Sequence, residues 1–257
     1  MKIRFLLSLL VLALTGCGET PTPSASPGRL SVAVAASMRY AFEEISTEFI
    51  KTRPGATIEP TYGASGVFYA QITQRAPFDF FLSADTTYPD KLKKEGFADE
   101  VFPYATGRLV LWAPESAGLE VAQRGIEALR DPRVSRISIA NPELAPYGRA
   151  AESAMSHYGV ATETGAKLVQ AENVGQSVQF VQSGAAQIGL FAYSLTFVPE
   201  MKEGDLWVVP VEAHEPLLQS GAILPQCRDR ELAGALRDFL LGPEGRAILE
   251  RHGFSAP

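Results

Sequence analysis

Strand-like and helix-like runs alternate along nearly the whole chain, and at two junctions a serine stands where a strand gives way to a helix. Ala35-Ala36-Ser37 follows the apolar run 30–35, and Gly63-Ala64-Ser65-Gly66 follows the run 57–62. The alternation requires an α/β architecture, because parallel strands need a crossover and a helix supplies it. The junctions carry a second constraint. A helix N-terminus leaves its first backbone N–H groups unpaired and holds a partial positive charge, so two converging N-termini form a site for an anion.

The pattern continues beyond these junctions. Ala41, Phe42, Ile45 and Phe49 fall at helical spacing, with Glu43, Glu44 and Glu48 off that face, until Arg53-Pro54-Gly55 stops the run. Helices are expected at 67–75 and 88–95, and strands at 78–83 and 109–112. A second series follows, with a short helix at 126–130, a strand at 137–140 and a helix at 148–158. Asn173 and Gln176 stand at capping-box spacing before a helix that stops at Gly184. The run 188–192 reads as a strand, 206–211 and 219–224 as strand-like, and 230–241 and 243–251 as terminal helices. Two βα clusters joined near 109–112 and 206–224 imply two lobes, with any ligand in the crevice outside the carboxyl ends of the strands. Residues 30–108, joined by 218–257, would form the first lobe and 109–217 the second.

The N-terminus reads as an export signal. Lys2 and Arg4 precede an apolar stretch at 5–14, too short to span a bilayer but suited to a signal peptide. The stretch ends in Leu14-Thr15-Gly16-Cys17, which resembles a bacterial lipobox. That resemblance implies a signal at 1–16 and a lipidated Cys17, a membrane anchor in the cell envelope. An ordinary secretory signal with an incidental cysteine is the alternative. Residues 17–29 then form a tether, rich in Pro, Ser and Thr. With Cys17 lipidated, Cys227 would have no intramolecular disulfide partner. The net charge of −6 and the lack of a basic run argue against a nucleic-acid partner. An anion would have to be captured by local dipoles rather than by overall charge.

Catalytic signatures are missing from the sequence. Gly63-Ala64-Ser65-Gly66-Val67 has Val where a G-x-S-x-G nucleophile elbow needs its last glycine. His157, His214 and His252 are scattered, and no metal-ligand cluster, Walker loop or dinucleotide fingerprint occurs. The residues therefore disfavour an enzyme and call for no protein-coordinated metal and no cofactor. An extracytoplasmic hydrolase using Ser65 remains the reading from a different class. Each serine alone is explained by helix capping. Two further donor-rich helix starts, Pro146-Tyr147-Gly148 and Asn173-Val174-Gly175, change the balance toward one anion held between the lobes.

In order and spacing, these motifs resemble those of the periplasmic molybdate-binding proteins, the solute receptors of molybdate ABC transporters. The resemblance rests on Ala35-Ala36-Ser37, Gly63-Ala64-Ser65-Gly66, Ala76-Pro77-Phe78-Asp79, Phe81-Leu82-Ser83-Ala84-Asp85, Asn141-Pro142-Glu143, Ala145-Pro146-Tyr147-Gly148, Glu172-Asn173-Val174 and Gly253-Phe254. It implies a two-lobed periplasmic-binding-protein type II fold, with a mainly parallel sheet flanked by helices in each lobe. It further implies a monomer that delivers molybdate or tungstate to a membrane permease. Ser37 and Ser65 would bind the oxyanion through hydroxyl and backbone N–H, and Tyr147 and Val174 through backbone N–H. Some members add a tyrosine hydroxyl from the strand equivalent to Ile188–Ala192. Here that position is Ala192, and Tyr193 would face the other way, an arrangement compatible with a subgroup that uses the Pro-Tyr-Gly turn instead. Asp85 is expected to brace the site, since a carboxylate repels an oxyanion, and Ser83 to lie just outside the contact shell. A receptor for sulfate or another small anion is the alternative within the same class.

Overall fold

The computed structural model describes residues 28–257. The export signal, Cys17 and most of the tether lie outside the described residues. The first half contains β1 (Arg29–Ala35), α1 (Arg39–Thr52), β2 (Thr57–Gly63), α2 (Ser65–Thr73), β3 (Phe80–Leu82), α3 (Thr87–Lys94) and β4 (Glu100–Gly107). The chain then crosses into β5 (Leu109–Pro114), α4 (Val121–Arg124), β6 (Ile137–Ala140), α5 (Pro146–His157), α6 (Ala161–Thr164), β7 (Leu168–Ala171), α7 (Val174–Gln182), β8 (Ile188–Ala192) and β9 (Gly204–Val208). It returns through β10 (Leu217–Ile223) and ends in α8 (Arg230–Leu241) and α9 (Pro243–Arg251).

Two five-stranded sheets result, ordered β2-β1-β3-β10-β4 and β7-β6-β8-β5-β9. In each, the three strands at one side, β2-β1-β3 and β7-β6-β8, are parallel and built from βαβ units. The strands added beside each trio run antiparallel to their neighbours. Each sheet is thus mainly parallel in strand direction, as expected, with a single reversed strand, β10 or β5, where the chain enters the lobe from the other one. Two strands went unread in the sequence, β4 and β7. Both are edge strands, and Pro103 is tolerated in β4 because an edge leaves one row of donors unpaired.

Strand alternation divides the core of the first lobe. Leu30, Val32 and Val34 face one way with Phe80 and Leu82, under α1, α8 and α9, whereas Ala33, Phe81 and Ala222 face the other, with Phe68 and Leu92 of α2 and α3. The second lobe has a continuous core that includes Leu111, Ile139, Leu190 and Phe191. Ala35, Ala36, Ala64 and Ala84 of the first lobe join that cluster. Their small side chains let the backbones at the ends of β1, β2 and β3 approach the second lobe closely.

Candidate functional site

Because both parallel trios point their carboxyl ends at the junction between the lobes, the following turns meet there. Ser37 lies in a single 3-10 turn, Ala36–Met38, between β1 and α1, and is buried. Its Oγ has no hydrogen-bond partner. Ser65 is the first residue of α2, also buried, and its Oγ accepts from the Ala84 N–H at 3.0 Å, which leaves its own hydrogen free.

The second lobe contributes two helix starts. Pro146 at the head of α5 has no N–H, and Gly148 N–H donates to the Ala145 carbonyl, so Tyr147 N–H is the donor left in that first turn. At α7 the Asn173 side chain accepts from the Gly175 and Gln176 N–H groups at 2.9 and 3.1 Å, and the Val174 N–H is left. A Cβ at Gly175 would come within 3.6 Å of the Ala36 side chain, which puts this helix start against the Ser37 turn. Ala36, Ala64, Tyr147, Val174 and Ala192 share one buried cluster. Ala192 pairs with Leu109 across the sheet and brings no hydroxyl. The Tyr193 ring packs against Phe197 at 4.8 Å between centroids.

The Tyr147 side chain was not anticipated as part of the site. It is fully buried, and burial pushes its phenol well above the ordinary tyrosine range, with the Gln219 and Ser37 side chains acting in the opposite sense. The phenol oxygen accepts from Gln219 Nε2 at 3.1 Å. Behind it, the Tyr104 hydroxyl stands 2.8 Å from both Gln219 Oε1 and the Ser83 carbonyl. A sequence signal for Gln219 existed in the form of a polar side chain between Leu217-Leu218 and the strand-like run that follows.

Direct contacts bridge the lobes around these groups. Gly66 N–H donates to the Leu144 carbonyl at 2.8 Å, and a Cβ at Gly66 would sit 2.8 Å from that same oxygen. Ser194 Oγ donates to the Ser37 carbonyl at 2.7 Å. Arg149 Nη2 donates to Asp85 Oδ2 at 2.5 Å, while Asp85 Oδ1 accepts from Ser83 Oγ and the Tyr88 N–H. Burial holds the Asp85 carboxyl above the usual carboxylate range despite these partners. Asp85 thus braces the closed cleft, and Ser83 supports Asp85. Beside Ser37 the cleft widens into a mouth of about 450 Å³, lined by Arg39, Tyr62, Gln176 and Gln179 among others.

No histidine or carboxylate touches Ser65 among the described residues, so its hydroxyl has no base to activate it. What remains is a set of neutral N–H and O–H groups enclosed between two α/β lobes. That is the arrangement of a receptor that closes over a small solute.

The chain belongs to the bacterial extracellular solute-binding proteins, which it matches over residues 30–255. It is 37% identical to the molybdate-binding protein ModA of Azotobacter vinelandii, over 98% of this chain and 99% of the relative. ModA of Rhodobacter capsulatus is also 37% identical, over 90% of this chain and 89% of the relative. Among solved structures, the A. vinelandii periplasmic molybdate-binding protein superposes with a TM-score of 0.82 at 33% identity, covering 89% of this chain and 99% of that one.

Proposed function

We propose that this protein captures molybdate, and tungstate equally well, and delivers it to the membrane permease of an ABC transporter. The observation that carries the reading is the buried Ser37 hydroxyl, unpartnered within the protein and set among the helix starts of Ser65, Tyr147 and Val174. Ser37 and Ser65 bind through hydroxyl and backbone N–H, and Tyr147 and Val174 through backbone N–H. The Tyr147 phenol supplies the fifth donor, at the place where Ala192 offers none. Full-length similarity to molybdate-binding relatives supports the choice of anion.

A set of donors without an acceptor suits a fully deprotonated tetrahedral dianion. Hydrogen phosphate would bring a proton with nowhere to go, leaving a buried polar group unpaired. Lipidation at Cys17 would hold the receptor at the membrane beside its permease, and the receptor works as a monomer. Calorimetric titration against molybdate, tungstate, sulfate and phosphate is the test. Binding of the first two and none of phosphate is expected. Heat with sulfate alone, or with no oxyanion, would overturn the assignment.

A further inference from the structure

We propose that Gln219 is a positioning residue that fixes the Tyr147 hydroxyl as a hydrogen-bond donor toward the anion, and that lobe closure switches this orientation on. The proposal rests on the oxyanion reading of the cleft. It starts from the order of donors and acceptors in a buried chain of side chains. The Tyr104 hydroxyl faces two oxygens, the Ser83 carbonyl and Gln219 Oε1, and neither can donate. With Oε1 committed to Tyr104, the carboxamide presents Nε2 to Tyr147, whose oxygen must accept. No hydrogen bond runs from the Tyr147 hydroxyl to another acceptor among the described residues. Its hydrogen is therefore turned away from Gln219, and the Tyr147 side chain shares one buried cluster with Ala36, the residue beside Ser37.

Several features show that this chain is built rather than incidental. Tyr104, Gln219 and Tyr147 are exposed by no more than 2%. The pairing of β4 with β10 slips between Gln219 and Ser220, so that Gln219 faces Ala105, Ser220 faces Pro103, and Tyr104 is left as the extra residue of a bulge. A bulge re-aims a side chain, and here it brings Tyr104 and Gln219 together. Gly107, the last residue of β4 before the chain crosses lobes, makes room for both ends of the contact. A Cβ there would sit 2.1 Å from the Tyr147 hydroxyl oxygen and 2.7 Å from Gln219 Nε2.

Tyr104 and Gln219 belong to the first sheet, whereas Tyr147 belongs to the second lobe. The Gln219–Tyr147 bond therefore forms only when the lobes are together. In an open receptor the phenol is free to rotate and to present a lone pair. Closure removes that freedom and leaves a donor, which favours an anion without protons and opposes one that must donate.

Gln219→Met tests this cleanly. It keeps the side-chain length and leaves Tyr104 donating to the Ser83 carbonyl. Molybdate affinity of the purified protein, measured by calorimetry, should fall about tenfold in Gln219→Met and about tenfold in Tyr147→Phe. Because Gln219 acts through the phenol, the double variant should bind no more weakly than Tyr147→Phe alone. The ratio of molybdate to phosphate affinity should narrow in Gln219→Met, a change that mere loosening of the fold would not produce. The ligand-free melting temperature reports folding separately. Unchanged molybdate affinity in Gln219→Met, or losses that multiply in the double variant, would overturn the proposal. If the wild-type protein itself bound no oxyanion, the reading of the cleft would fail first and the role of Gln219 with it.

Discussion

On the proposed site, Ser37 and Ser65 do the same thing to the anion but different things to the protein, and alanine at each position separates the two effects. The Ser37 hydroxyl has no hydrogen-bond partner among the described residues, so Ser37→Ala should remove only the proposed bond to the ligand. A hydrogen bond to a charged group contributes about 1.5–3 kcal/mol, which is roughly a 10- to 100-fold loss of affinity. Ligand-free stability should stay within about 0.5 kcal/mol, because no protein group loses its partner. Ser65→Ala should weaken molybdate by a similar factor. It also strips the buried Ala84 N–H of its side-chain acceptor, at about 1–3 kcal/mol of folding stability. For a chain of this size each kcal/mol moves the melting temperature by about 2–4 °C. Calorimetry and ligand-free thermal unfolding of both variants check the pair. Wild-type affinity in Ser37→Ala, or an equal drop in ligand-free melting temperature for the two variants, would refute the assignment of their roles.

Other residues carry tests of their own. Arg149→Met should weaken molybdate by about fivefold, a modest loss because the Arg149 side chain is 41% exposed and its pairing with Asp85 is partly screened; a faster ligand dissociation rate by stopped flow is the readout. Asp79 accepts from the Ser31 N–H and from the Arg228 backbone and guanidinium. Burial alone would raise its carboxyl, but these bonds and the Arg228 charge hold it below the ordinary range. Its stabilising effect is then complete above the unfolded value of about 3.9 and lost as pH falls through the lower folded value. Asp79→Asn should accordingly cost about 2–3 kcal/mol near neutrality, and the gap from wild type in thermal unfolding should narrow below about pH 4. Molybdate affinity should be flat between about pH 6 and 8, since no proposed ligand titrates there and burial moves Tyr147 further away. Cys17→Ser should release the protein from membranes in cell fractionation without changing its affinity.

Where the signal was local, the sequence revealed the helix starts that meet at the junction between the lobes. The Ser37 and Ser65 junctions, the Pro146-Tyr147 helix start and the Asn173 cap each declare themselves within a few residues, through capping chemistry and a change of hydrophobic period. What escaped was set by distant pairing. The run 100–107 carries an acid, a proline and a glycine that break up its pattern, yet it forms β4 because β10 pairs with it across the sheet. The Tyr147 phenol could not be placed from its own neighbours, since its position depends on Gln219 and Gly107 from other strands. Arg149 and Asp85 meet for the same reason, across a cleft that only the folded lobes define.

The distribution of charge supports the same mechanism. The chain has a net charge of −6 and no basic run, so its long-range field does not draw an anion inward. Two of the cations near the cleft are committed elsewhere, Arg149 to Asp85 and Arg39 over the Tyr62 ring at 4.6 Å. On the proposed reading, the work of holding a dianion then falls to N–H and O–H dipoles that lobe closure brings together. In water such dipoles compete poorly, but within a closed, buried cluster their effect rises as the local dielectric falls. On this reading, closure is part of the binding chemistry. The same step that excludes water also completes the donor set, because Tyr147, Gln219 and Ser37 meet only when the lobes do.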